Sequence, residues 1–114
     1  MKIDFYSPTH ERLANDIVAL SKRYNKTKGV DSATAIVLAL NVLNAADSLA
    51  DVPASYRPQP LKGKYKGYFA VDVDKLHRIV FRPNHHGDPA YRIDAHKTIK
   101  NILIIELFKD YHKP

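Results

Sequence analysis

A chain of 114 residues, 45% of them apolar, has room for one folded core and not for two. Its 18 Lys and Arg outweigh 12 Asp and Glu to give +6, a balance that favours an anionic partner such as RNA, DNA or an acidic protein segment. The absence of cysteine excludes a disulfide framework, a thiolate zinc site and a cysteine nucleophile.

The opening KIDFY sets Ile3 and Phe5 against Lys2 and Asp4, the alternation of a short strand. SPTHER then predicts a helix start, with Ser7 as N-cap and Pro8 at the first helical position, where a missing N–H costs nothing. Leu13, Ile17, Leu20 and Tyr24 continue at helical spacing, and Gly29 offers a left-handed C-cap. A second helix, capped by Asp31 or Ser32, carries Ile36, Leu40, Leu43 and Leu49. The small residues Ala33, Ala35, Ala39, Ala45 and Ala46 allow the two helices to approach closely as an antiparallel hairpin.

The stretch 51–67 is punctuated by Pro53, Pro58, Pro60, Gly63 and Gly67 and predicts a surface loop. Four cations, Arg57, Lys62, Lys64 and Lys66, fall between positions 52 and 71 with no acid among them. Strands follow. In YFAVDVD, Phe69, Val71 and Val73 share a face, and Asp74-Lys75 marks a turn. HRIVFRP puts Ile79 and Phe81 on one face and Arg78, Val80 and Arg82 on the other. NHHGDP reads as a hairpin tip, AYRIDAH alternates like a further strand, and NILIIELF, apolar on both faces, predicts a central strand. The expected class is α+β: a strand, a helical hairpin, then a three- to four-stranded, mainly antiparallel sheet in a single domain, 1–114. No apolar run nears the ~18 residues of a membrane span, and MKIDFYSPTHER turns polar too early for a secretory signal, so a cytoplasmic location is expected.

The chemistry is narrowed by what is missing. His85 and His86 are adjacent in a turn, without helical ligand spacing or a carboxylate pair, and read as solvated side chains rather than metal ligands. PLKGKYKG lacks the spacing and following helix of a phosphate cradle, and no Gly-x-Ser-x-Gly elbow occurs. Cations and a late histidine remain. An extended backbone would turn Lys62, Lys64 and Lys66 to one side, Arg78 projects from the next strand, and Tyr111 and His112 leave the last one. Paired strands would bring these groups to one end of a sheet. Metal-free RNA cleavage needs such groups. Histidine suits the proton transfers, Lys and Arg suit the charge on the phosphorane, and tyrosine stacks on a base or donates a hydrogen bond. The same residues would equally form a non-catalytic RNA-binding face.

The run RPQPLKGKYKGYFAVDVDKLHRIVFR with a terminal KDYH resembles the RelE/HigB superfamily of type II toxin–antitoxin toxins. There a helix pair precedes a PLKG-type loop, a Gly-aromatic strand, an R-I-x-F/Y strand and a C-terminal aromatic-His. Order and approximate spacing match over 52–112, and the helical half matches in architecture only. The resemblance implies a microbial-RNase-type α+β fold and a ribosome-dependent endonuclease cutting mRNA in the ribosomal A site. It implies no metal or other cofactor, and a cognate antitoxin that covers the basic surface. By position, Lys62 would stabilise phosphate charge, Arg78 would bind the scissile phosphate, His112 would be general acid or base, and Tyr111 would orient RNA or help proton transfer. Arg57, Gln59, Lys64, Lys66 and Arg82 would contact RNA around them. Asp110 would hold the histidine tautomer or serve only as a tail charge. Two departures stand out. Gln59 occupies a position where HigB-like members often carry histidine, and glutamine moves no proton at neutral pH. Extra sequence, enough for another strand, separates RIVF from the tail. Two other classes of function fit the residues: an RNA- or ribosome-binding module acting by occupancy, and a protein-interaction module whose basic face holds an acidic partner.

Overall fold

The computed structural model describes residues 1–24 and 32–110. Five strands form one sheet in the order β1-β5-β4-β3-β2, with β1 Lys2–Phe5, β2 Gln59–Pro60, β3 Phe69–Asp72, β4 His77–Pro83 and β5 Asn101–Asp110. The three helices are α1 Pro8–Ala14, α2 Ile17–Tyr24 and α3 Ser32–Ala45. This is the expected α+β arrangement. The first strand joins the same sheet, running parallel to β5, while the other pairings are antiparallel. NILIIELF is central, flanked by β1 and β4.

Alternation explains which side of the sheet is the core. Phe69, Val71, Ile79, Phe81, Ile102, Ile104 and Leu107 pack with Leu13, Leu20, Ile36, Leu40 and Leu43 from the helices. On α3 the buried set Ala33, Ile36, Ala39, Leu40 and Leu43 follows the helical repeat, and α2 packs against this helix. Ala70 and Val80, register partners at the alternate positions, are also fully buried and belong to the opposite face. That face carries the candidate chemistry.

Several expectations are corrected. The first helix is interrupted. Asn15 and Asp16 close α1, their backbone N–H groups donating to the carbonyls of Arg12 and Leu13, and Asp16 Oδ1 accepts the N–H groups of Val18 and Ala19 to start α2. The break shifts the helical phase, so Ile17, expected inside with Leu13 and Leu20, is half exposed. Leu49 is buried from a 3₁₀ turn, Leu49–Asp51, beyond the end of α3, and Ala45 is exposed rather than packed. AYRIDAH is not a strand. Neighbouring sheet positions are already filled, because β4 and β5 pair with each other. The segment instead folds on itself, with Arg92 N–H donating to Thr98 Oγ1 and Ala95 N–H to the Arg92 carbonyl. Gly29 and Asp31, expected at helix ends, lie outside the described residues. No helix among the described residues is long and apolar enough to cross a membrane.

Candidate active site

The β3–β4 turn fixes where Arg78 sits. Asp74 Oδ1 accepts the backbone N–H groups of Leu76 and His77, each at 2.8 Å, and the His77 Nδ1–H at 3.0 Å. The His77 ring lies flat on Phe108 with centroids 3.7 Å apart, which anchors the first residue of β4 on the β5 strand. His77 is therefore a fastener for the turn. Arg78 follows immediately on the other face.

Strand register then builds a row. Arg78 is paired with Asp72 on β3 and with Lys109 on β5, and side chains directly across an antiparallel pair share a face. Arg57 joins from the loop before β2, its Nη1 3.5 Å from Asp72 Oδ2. Arg57 is also the one described non-glycine residue with positive φ, at 47°. That left-handed turn, closing the 3₁₀ segment Ala54–Tyr56, directs the chain back to the sheet at Gln59. Ser55, Tyr56, Arg57, Asp72, Val73, Asp74 and Lys75 line an open cleft of about 540 Å³ beside the row. Burial pushes the Asp72 carboxyl above its ordinary value, against the pull of Arg57 and Arg78 and with a small push from Asp74.

The strands are irregular here. From Arg78 to Phe81, β4 advances three residues, while the partners Lys109 to Ile104 span five on β5. Bulges of this kind bend a strand and re-aim its side chains, and they recur beside active sites.

The expected site residues divide into two groups along the sheet. Arg57, Arg78 and, two register positions further, Gln59 lie toward the end where β5 finishes at Asp110, opposite His77. Gln59 donates through Nε2 to the Arg57 carbonyl at 3.2 Å. Tyr111 and His112, covalently next after Asp110, lie outside the described residues. Lys62, Lys64 and Lys66 sit at the tip of the β2–β3 hairpin, beyond the Phe69–Phe81 register pair, at the far end of the sheet from Arg78. They do not form an extended ladder. Gly63 at φ 66° opens a 3₁₀ turn, Gly63–Tyr65, and Gly67 at φ 90° returns the chain so that Leu61 N–H meets the Tyr68 carbonyl. Lys64 instead lies over the Tyr65 ring at 5.4 Å. Arg82 shares the face of Arg78 four residues along β4, about 13 Å away, and pairs with Leu103. The structure thus brings Arg57 to Arg78 and leaves the three lysines and Arg82 at a distance.

Sequence reading missed Asp72 and Lys109. Both were legible only through register, since Asp72 is one of two acids in VDVD and Lys109 one of many cations. It also misread His85, whose side chain is 1% exposed rather than solvated. Its Nε2 accepts the backbone N–H groups of Lys100 and Asn101 at 2.9 and 3.0 Å, so the ring proton resides on Nδ1, facing Asp88. Stacking on Tyr91 completes its enclosure. Among the described residues no three His, Asp or Glu side chains gather as metal ligands.

Similar solved structures include a toxin and a toxin–antitoxin complex. A YoeB/ParE toxin from Agrobacterium tumefaciens matches with a TM-score of 0.51 and 16% identity over 98% of this chain and 100% of that one. A YafQ mutant from E. coli matches at 0.56 and 15%, covering 96% and 92% of the two chains. The YoeB–YefM toxin–antitoxin heterotetramer from Staphylococcus aureus matches at 0.51 and 19%, covering 99% and 98%. This chain has the RelE-like toxin fold. No family model and no curated protein matches it in sequence. The likeness therefore lies in the fold, at TM-scores of 0.51 to 0.56 with 15–19% identity.

Proposed function

We propose that the chain is the toxin of a type II toxin–antitoxin pair, a metal-independent endoribonuclease that cuts mRNA in the ribosomal A site and so stops translation. The observation that carries this reading is the row Arg57, Asp72, Arg78 and Lys109 at the end of the sheet where β5 leads into Tyr111 and His112. Arg78 is the ligand of the scissile phosphate, a role for which a guanidinium fork is suited. His112 is the proton carrier, and Tyr111 stacks on or donates to the RNA. In the reaction the 2′-oxygen bonds to phosphorus, the bond to the 5′-oxygen breaks, and that leaving oxygen takes a proton from His112. The products are a 2′,3′-cyclic phosphate and a 5′-hydroxyl. Lys62, Lys64, Lys66 and Arg82, further along the sheet, hold phosphates upstream or downstream of the cut rather than the scissile one, and Arg57 and Gln59 contact the nucleotide at the row itself.

The partner is a cognate antitoxin that covers this cationic face, as a toxin–antitoxin complex among the matching structures suits. Arrest by occupancy without cleavage is the second reading, favoured by Gln59 in place of a titratable group. Induced expression in bacteria tests the assignment. Wild-type protein is expected to arrest growth, and Arg78→Ala and His112→Ala are expected to relieve the arrest while remaining folded. Full toxicity in both variants would overturn the assigned site.

A further inference from the structure

The cations and Gln59 leave one task of the proposed reaction unassigned, removal of the proton from the attacking 2′-hydroxyl. We propose that Asp72 is the general base that takes this proton. The inference rests on the endoribonuclease reading above and names its missing catalytic residue.

Three observations carry it. The first is order across the sheet. Asp72 on β3, Arg78 on β4 and Lys109 on β5 are register partners, so a carboxylate stands on one side of the proposed phosphate ligand and a cation on the other. Attack at phosphorus is in line, which requires base and acid on opposite sides of the phosphate. Two strand spacings, about 10 Å, separate β3 from β5. A ribose, its phosphate and the leaving oxygen fit that width, with Arg78 beneath the phosphate.

The second observation is access. Asp72 lines the open cleft with Tyr56, Arg57 and Lys75, so a nucleotide can reach it. The third is chemistry. A carboxylate among cations repels the phosphate they bind, and as a mere counter-ion it works against the site. At the 2′-oxygen it does what neither Gln59 nor an arginine does. The charged groups facing it are Arg57 from the loop, Arg78 from β4 and Asp74 from the turn, with Lys75 on the cleft wall. Together they leave its proton affinity raised, burial being the largest cause, which strengthens a carboxylate as a base. The proton moves from O2′ to the Asp72 carboxylate as the O2′–P bond forms, and His112 delivers one to O5′ as the P–O5′ bond breaks. Each group then exchanges with water.

The test is single-turnover cleavage of a defined mRNA on programmed ribosomes, across pH, with wild type, Asp72→Asn and Asp72→Ala. Asp72→Asn is expected to slow cleavage by about 10²–10⁴-fold and to abolish the limb in which rate rises with pH, leaving the opposite limb in place. Formate is expected to restore part of the activity of Asp72→Ala. Wild-type rates in Asp72→Asn overturn the proposal while leaving the endoribonuclease reading standing. A slow variant that keeps both limbs and ignores formate also overturns it, making Asp72 a positioning residue for Arg57. No cleavage by wild type overturns the reaction itself and the base with it. Melting curves of both variants separate these outcomes from a failure to fold.

Discussion

Arg57 combines a strained backbone with an exposed ion pair, and two substitutions separate these contributions. At φ 47° and ψ 57° an L-residue in this conformation bears about 1–2 kcal/mol that glycine does not. Glycine gives back about 0.4–1 kcal/mol through the greater freedom of its unfolded chain. The net advantage of Arg57→Gly over Arg57→Ala is then about 1 kcal/mol. Both variants lose the 3.5 Å pair with Asp72, in which the arginine side chain is 66% exposed, so the common loss is at most about 1 kcal/mol. Arg57→Ala should therefore melt below wild type, and Arg57→Gly should melt close to wild type, about 3–6 °C above the alanine variant. Thermal unfolding followed by circular dichroism reads this directly. RNA binding should not follow stability, because both variants lose the same cation and should show the same shallower salt dependence, by about 0.7 in the logarithmic slope for one lost phosphate contact. A glycine variant melting at or below the alanine variant would refute the strain argument.

Other outcomes follow from the same structure. Asp16→Ala removes the cap of α2 and should cost about 1 kcal/mol in denaturant unfolding. His85→Ala strips the acceptor from two backbone N–H groups, so hydrogen exchange at Lys100 and Asn101 should accelerate and stability should fall by about 1–2 kcal/mol. Asp72 binds its proton more tightly when folded than when unfolded, so its ionisation disfavours the fold. Wild type should lose stability relative to Asp72→Asn as pH rises from 3.8 through the raised folded value, and the difference should be flat well above it, as paired melts from about pH 3 to pH 7 will show. A difference that grows in favour of wild type over that window would contradict the burial of Asp72.

Much of this fold was legible because its strands announce their faces. Ile79 and Phe81 against Arg78 and Arg82 carry their own burial pattern and were read as they stand, whereas NILIIELF, read as covered on both sides, buries Ile102, Ile104 and Leu107 and leaves Leu103 and Ile105 part-exposed. What local pattern does not encode is which strand lies beside which. The parallel β1–β5 pairing, the two-residue β2 and the exclusion of AYRIDAH from a filled sheet are decisions of topology. The interruption at Asn15-Asp16 was present in the letters as a stop followed by a cap, but the apolar repeat running through Ile17 concealed it. The candidate site divides likewise. Arg78 is visible from alternation and from resemblance, whereas Asp72 and Lys109 become its neighbours only through register. The lysines looked like a ladder because alternate spacing implies an extended chain, and Gly63 and Gly67 at positive φ remove that premise.

The most direct test of the central claim is 5′-end mapping of a defined mRNA incubated with the purified protein, with and without programmed ribosomes. The account predicts new 5′-hydroxyl ends only with ribosomes, at fixed positions within A-site codons, and their loss with Arg78→Ala. Intact mRNA in both incubations, under conditions where translation nonetheless stops, would contradict cleavage and leave arrest by occupancy in its place.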